Sequence, residues 1–160
     1  MNKLILILLV PLFSTGCSTV KSSISYTEGT EALQAGQYDT AIAHLERAVA
    51  LDPEVARNHN NLASAYFAKG RIRDGWTHVR KAVIYAPRDQ SGQMNFGRYF
   101  KTMIDRGLVK NGLTEATVIK NLGQPDGKSK QGETTYWQYG MVAVTIERGR
   151  VAGFKHMVIR

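Results

Sequence analysis

The sequence predicts an α+β protein: N-terminal helical hairpins with a capping helix, then a small domain of one helix on a three-stranded antiparallel sheet. Three observations carry that prediction. Two stretches align without a gap at a spacing of 34 residues. After Gly107 the apolar residues stop recurring at helical intervals and begin to alternate. Glycine or proline stands where most of the predicted helices have to end.

The first element is a processing signal. Met1-Asn2-Lys3 carries one positive charge, and Leu4 to Phe13 is an apolar run interrupted only by Pro11. At about 1.5 Å per residue such a run is too short to span a bilayer as a helix. Ser14-Thr15-Gly16 supplies small residues for a peptidase, and Cys17, the one cysteine of the chain, follows directly. A single cysteine forms no disulfide within the chain, and a catalytic thiolate needs a base, whereas the nearest histidine is His44. The stretch resembles the bacterial lipoprotein signal, although Ser14 occupies the place where that family usually has leucine. The resemblance implies removal of residues 1–16 and lipid attachment at Cys17. Ser18 is not the aspartate of inner-membrane retention, so the implied location is the outer membrane, lipid-anchored and facing the periplasm. Residues 17–23, small and polar, read as a short flexible tether.

The repeats occupy 24–53 and 54–87. Gly36 aligns with Gly70, Ala48 with Ala82, Val49 with Val83 and Pro53 with Pro87. Gly29, Ala41 and Ala48 in the first unit, and Ala63, Gly75 and Ala82 in the second, place small side chains where two helices cross closely. Gly36 and Gly70 suit the left-handed residue that ends a helix; Pro53 and Pro87 disfavour helix in the residues before them. Tyr38, Ile42 and Leu45, like Ile72, Trp76 and Val79, fall on one face. Together these positions resemble the tetratricopeptide repeat (TPR), a pair of antiparallel helices. Two such units need a cap. Residues 93–106 supply it, with Met94, Phe96, Phe100, Met103 and Ile104 along one stripe and the TPR region closing at 107.

By register, the first helix of each pair builds the inner face of the array. Tyr26, Thr30, Arg57, Asn60, Asn61, Ser64 and Phe67, with Asn95 and Arg98 from the cap, are the candidate partner-binding groove. Amides and arginines suit a peptide backbone or a carboxylate. Only Asn61 and Asn95 resemble the pattern by which some TPR domains clamp a chain terminus, so a generic peptide groove is the expectation. The chain carries a net charge of +8, and residues 54–110 hold eleven Lys/Arg against four Asp/Glu. That excess fits an anionic lipid or glycan, while Arg71, Arg73, Arg80, Lys81, Arg98, Lys101 and Arg106 also read as solvated helix surface.

Residues 111–160 form the second domain. Thr114 is the N-cap of a short helix carrying Val118, Ile119 and Leu122, which Gly123 and Pro125 stop. A loop from Asp126 to Glu133 precedes three strands: Thr134 to Tyr139, Met141 to Glu147 and Val151 to Val158, with a tight turn at Arg148-Gly149. Gly112-Leu113-Thr114, Leu122-Gly123-Gln124-Pro125, Trp137-Gln138-Tyr139 and Gly149-Arg150-Val151 resemble the SmpA/OmlA (BamE-like) small-lipoprotein domain. That family implies a role in outer-membrane protein assembly, with protein and anionic-lipid contacts.

The chemistry of catalysis is missing from the pattern. His44, His59, His78 and His156 lie apart without metal-ligand spacing, and His44 and His78 share one repeat position that reads as surface. No phosphate-binding or nucleophile motif is present. The expected protein is therefore no enzyme; it needs no cofactor or metal and binds no nucleic acid. The leading expectation is a lipid-anchored periplasmic adaptor for protein or peptide partners of the cell envelope. Resemblance to pilotins, which escort a secretin subunit, is the alternative, and anionic lipid or glycan binding is another.

Overall fold

The computed structural model describes residues 14–156, with side chains from residue 18. The apolar run at 4–13 and the side chain of Cys17 lie outside the described residues. Among the described residues six helices come first: α1 (Ser14–Gln34), α2 (Tyr38–Leu51), α3 (Ala56–Ala68), α4 (Ile72–Tyr85), α5 (Gln90–Asp105) and α6 (Glu115–Leu122). Four strands follow: β1 (Gly127–Gln131), β2 (Thr134–Tyr139), β3 (Val142–Glu147) and β4 (Arg150–His156), in sheet order β1-β2-β3-β4. No described helix is long and apolar enough to cross a membrane.

The hairpins α1–α2 and α3–α4 are the two repeats. Gly36, at φ +72°, ends the α1 turn: its N–H donates to Leu33 O and that of Gln37 to Ala32 O. Gly70 repeats the arrangement with Phe67 and Tyr66. This pair of bonds satisfies two of the carbonyls that a helix end leaves without partners. At the crossings, a Cβ on Gly29 would stand 2.6 Å from Leu45 Cγ, and one on Gly75 2.5 Å from Phe67 Cδ2. Ala41, Ala48, Ala63 and Ala82 are buried beside them. The small-residue pattern is a packing requirement.

Several expectations need correction. Residues 18–23 are the early turns of α1, not a tether, because Ser18 Oγ donates to Leu51 O (2.9 Å) and Ser22 Oγ to Ala48 O (3.1 Å). These hydroxyls tie α1 to α2, so polar composition marks a docked face here. The capping helix begins at Gln90, since the Asp89 carboxylate caps it by accepting from Gly92 N (2.7 Å). Within it Met94 is exposed and Ile104 partly so, while Tyr99 joins Phe96, Phe100 and Met103 inside. Tyr38 also lies at the surface.

The sheet has a fourth strand. Gly127–Gln131, read as loop, pairs antiparallel with β2 in the register Lys128↔Trp137 and Lys130↔Thr135. Its sequence, GKSKQ, carries no apolar alternation because it is an edge strand exposed almost throughout. All three hairpins turn in two residues, through Gly132-Glu133, Gly140-Met141 and Arg148-Gly149. Arg148 (φ 49°) and Gly149 (φ 72°) are both left-handed, as a two-residue turn matching strand twist requires. Thr114 caps α6 as expected, accepting from Thr117 N.

The helical array and the αβ module share one core. Trp76, Val79, Val83, Phe96, Phe100 and Met103 pack in the same cluster as Val118, Leu122, Trp137, Tyr139, Val144 and Val151. A smaller cluster of Ala32, Ala41, Ile42, Leu45, Leu62, Ala65 and Tyr66 holds the first repeat to the second.

Candidate functional site

The nine groove residues predicted from register stand on α1, α3 and α5, the first helices of the repeats and the cap. Fixed hydrogen bonds and stacked rings connect them in two groups. Between α1 and α3, Asn61 Nδ2 donates to Thr30 Oγ1 (3.0 Å) and Tyr26 Oη (3.3 Å). The Arg57 guanidinium lies 4.9 Å above the Tyr26 ring. Among the described residues Arg57 has no ion pair, which leaves its donors facing water.

Between α3 and α5 the bonds close into a ring. Asn95 Nδ2 donates to Asn60 Oδ1 (2.9 Å), and Asn95 Oδ1 accepts from Arg98 (2.8 Å). Arg98 also donates to Tyr99 Oη (3.0 Å), which donates to Ser64 Oγ (2.9 Å). Ser64 Oγ in turn donates to the Asn60 carbonyl (3.1 Å). Phe67 stacks on Tyr99 with ring centroids 3.6 Å apart. Tyr99 was missed by the sequence reading. Its signal was present: it follows Arg98 and sits four residues after Asn95, which puts it on the same helix face.

This surface can offer two guanidiniums, each lying over a tyrosine ring (Arg57 on Tyr26, Arg98 on Tyr99), and a run of side-chain amides. Such groups bind carboxylates and peptide backbone. Their mutual bonds hold them in one geometry before a partner arrives, which lowers the ordering cost of binding.

Beneath the face, a polar joint locks the two repeats together. Buried Asn58 donates to Ser22 Oγ and Ala48 O, both 3.3 Å. His59 and His78, expected to lie apart, approach to 2.7 Å between their Nδ1 atoms, with rings stacked. His59 Nε2 contacts Pro53 O at 2.9 Å. A proton on His59 Nε2 leaves its Nδ1 to accept from His78 Nδ1–H, so both rings fit as neutral species. Burial, the facing His59 and nearby Lys81 push His78 down to about 4. Burial lowers His59 as well. His78 is therefore part of the joint and not a surface position. Tyr66 extends the joint by donating to Glu46 on α2; burial and that bond raise its phenol to about 12.

A second constellation joins the array to the αβ module. Arg80, expected at the surface, is buried and donates to Leu122 O (3.0 Å), Gln124 O (2.9 Å) and the Asp126 carboxylate. Asp126 also accepts from Gly140 N (2.6 Å), and Trp76 Nε1 donates to Leu122 O (3.2 Å). With all three guanidinium nitrogens bonded to residues of the αβ module, Arg80 is structural. Trp137 and Tyr139 are core residues.

Comparison with known proteins agrees with the helical part of this description. A family model described as "TPR repeat" matches residues 29–70. The TPR domain of Arabidopsis OM64 is similar in fold, with a TM-score of 0.52 at 16% identity, over 56% of this chain and 74% of that one. No curated protein matches the chain. The chain thus carries a TPR repeat within helical hairpins, followed by an antiparallel sheet.

Proposed function

We propose that this protein is a non-enzymatic adaptor, lipid-anchored through Cys17 in the outer membrane and facing the periplasm, that holds a protein or peptide partner on its TPR face. The observation that supports this best is the preset polar face of α1, α3 and α5, where Arg57 and Arg98 present guanidinium donors beside Asn60, Asn61 and Asn95, which are held in place by hydrogen bonds across the helices. A scaffold needs such a surface, and an extended peptide with a carboxylate satisfies it. The sequence resemblance of residues 111–160 to the SmpA/OmlA domain is what favours a role in outer-membrane protein assembly or envelope maintenance. The rival role, escorting a secretin or pilus subunit, uses the same face and differs only in the partner.

Capture of partners from cross-linked envelopes tests this reading, comparing the native chain with Arg57→Glu/Arg98→Glu and Cys17→Ala. Enrichment of barrel-assembly components that the double variant loses supports the proposal. A secretin or pilus subunit moves the protein to the rival system. Equal capture by native and double-variant chains removes the groove from the function. Salt-sensitive binding to anionic vesicles without any protein partner would shift the role to the basic surface, where Arg73 and Arg106 have no acidic partner among the described residues.

A further inference from the structure

The two edges of the sheet are treated differently. On the β4 side, the segment 112–114 pairs across the strand: Gly112 N donates to Val151 O and Val151 N to Leu113 O, both at 2.8 Å. A bridge between Thr114 and Arg150 continues it. On the β1 side, no described segment pairs with the outer edge of residues 127–131. A strand with one free side presents a row of unpaired N–H and C=O groups, which is a template for another extended chain.

Charge decides which chain. Lys128 and Lys130 project from β1 on one face, in register with Trp137 and Thr135. Lys128 Nζ lies 4.2 Å above the Trp137 ring, and neither lysine has an ion pair among the described residues. Of the two carboxylates flanking the strand, Asp126 is held by Arg80 and Gly140 N, and Glu133 sits in the turn beyond Gln131. Pairing with β1 of a second copy brings lysines toward lysines, and like charges across strands are destabilising. An acidic strand meets the opposite situation.

The other face supplies room. Gly127 and Ser129 pair with Gln138 and Tyr136 and open onto a cavity of about 310 Å³, whose lining includes Ala143 and Lys155. A strand laid beside β1 would send alternate side chains to the lysines and the intervening ones toward this cavity.

We infer that the free edge of β1 is a strand-addition site for an extended peptide segment with carboxylates at alternate positions. Main-chain bonds to Gly127–Gln131 supply the attachment, and Lys128 and Lys130 select the acidic partner. This site is separate from the helical face and stands whether or not that face binds peptide.

The test uses the full chain in detergent and three blocked hexapeptides: one alternating glutamate and valine, one alternating lysine and valine, and the glutamate peptide N-methylated at alternate residues. Amide hydrogen exchange by NMR and titration affinity are the readouts. The glutamate peptide is expected to slow exchange in β1. Alternate N-methylation is expected to weaken it about tenfold or more, because the backbone bonds are blocked while charge is kept. Lys128→Glu/Lys130→Glu is expected to weaken the glutamate peptide about tenfold and admit the lysine peptide. Lys130→Glu alone, which leaves the Lys128–Trp137 contact intact, should move both affinities the same way if the double variant melts early. Failure of the glutamate peptide to bind overturns the inference. So does equal binding of the N-methylated peptide, or protection confined to α1, α3 and α5.

Discussion

The two repeats are the same 34-residue unit used for different tasks, and the positions that differ show how. Ile42 and Trp76 are equivalent in register, as are Glu46 and Arg80. Ile42 stays within the smaller cluster, while Trp76 joins the helices to the sheet and bonds Leu122. Glu46 accepts from Tyr66 of the next helix pair; Arg80 reaches past its own repeat to Leu122, Gln124 and Asp126. In each case the outward side of the second helix meets whatever follows it. The first repeat is followed by another repeat, and the second by the cap and sheet. Two substitutions at register positions convert a stacking surface into a domain joint.

The comparison can be broken most severely at the large aromatic. Trp76→Ala should cost about 4 kcal/mol, with Ile42→Ala nearer to about 2–3 kcal/mol, as denaturant unfolding would measure. Equal losses would mean that the two positions do equivalent work. Arg80→Met comes next. It removes the cation paired with Asp126 and the donor to Gln124 O, while Leu122 O keeps Trp76 Nε1 and Asp126 keeps Gly140 N, and should destabilise by about 3 kcal/mol. Exchange protection should fall in β1, β2 and α6 before it falls in α1 and α2.

A milder probe exchanges a repeat residue for its counterpart. Gly75→Ala installs the residue found at the equivalent Ala41, yet here the new Cβ meets the Phe67 ring. Leu33 occupies the place equivalent to Phe67 in the first repeat. We expect a cost of about 2 kcal/mol and a displaced Phe67–Tyr99 stack, visible in the tyrosine ring resonances.

The smallest effect concerns pH. His78 and His59 both titrate below the usual histidine range in the folded chain. The unfolded chain therefore binds more protons between about 6.5 and about 4, so stability is full above that window and falls on acidification through it. The charged neighbours are Lys81, which opposes protonation, and Asp74, which favours it. The loss should be on the order of 1–2 kcal/mol, because the His78 ring is only partly shielded. His78→Gln should flatten the profile.

Legibility followed the strength of local constraints. The hairpins were readable because Gly36, Gly70 and the crossing alanines answer to local sterics at fixed register. Register likewise assigns the nine candidate side chains to α1, α3 and α5, where the structure has them. Tyr99 escaped because its ring is buried while its hydroxyl serves the surface, and apolar counting recognises only the first. β1 escaped because an exposed edge strand has no buried side from which an alternation can arise. Arg80 escaped because an arginine on a basic helix looks the same whether it meets water or a carbonyl.

By itself, then, the sequence determined the helical repeat, its turns, the face that the first helices share, and a sheet closing the chain. These follow from steric rules acting over a few residues. Only the tertiary structure decided that α1 docks through Ser18 and Ser22, that Arg80 and Trp76 weld array to sheet, that His59 and His78 meet, and that one sheet edge has no partner among the described residues. Each of those depends on which distant groups come within hydrogen-bond reach, and such a distance is a property of the packed chain, not of any segment of it.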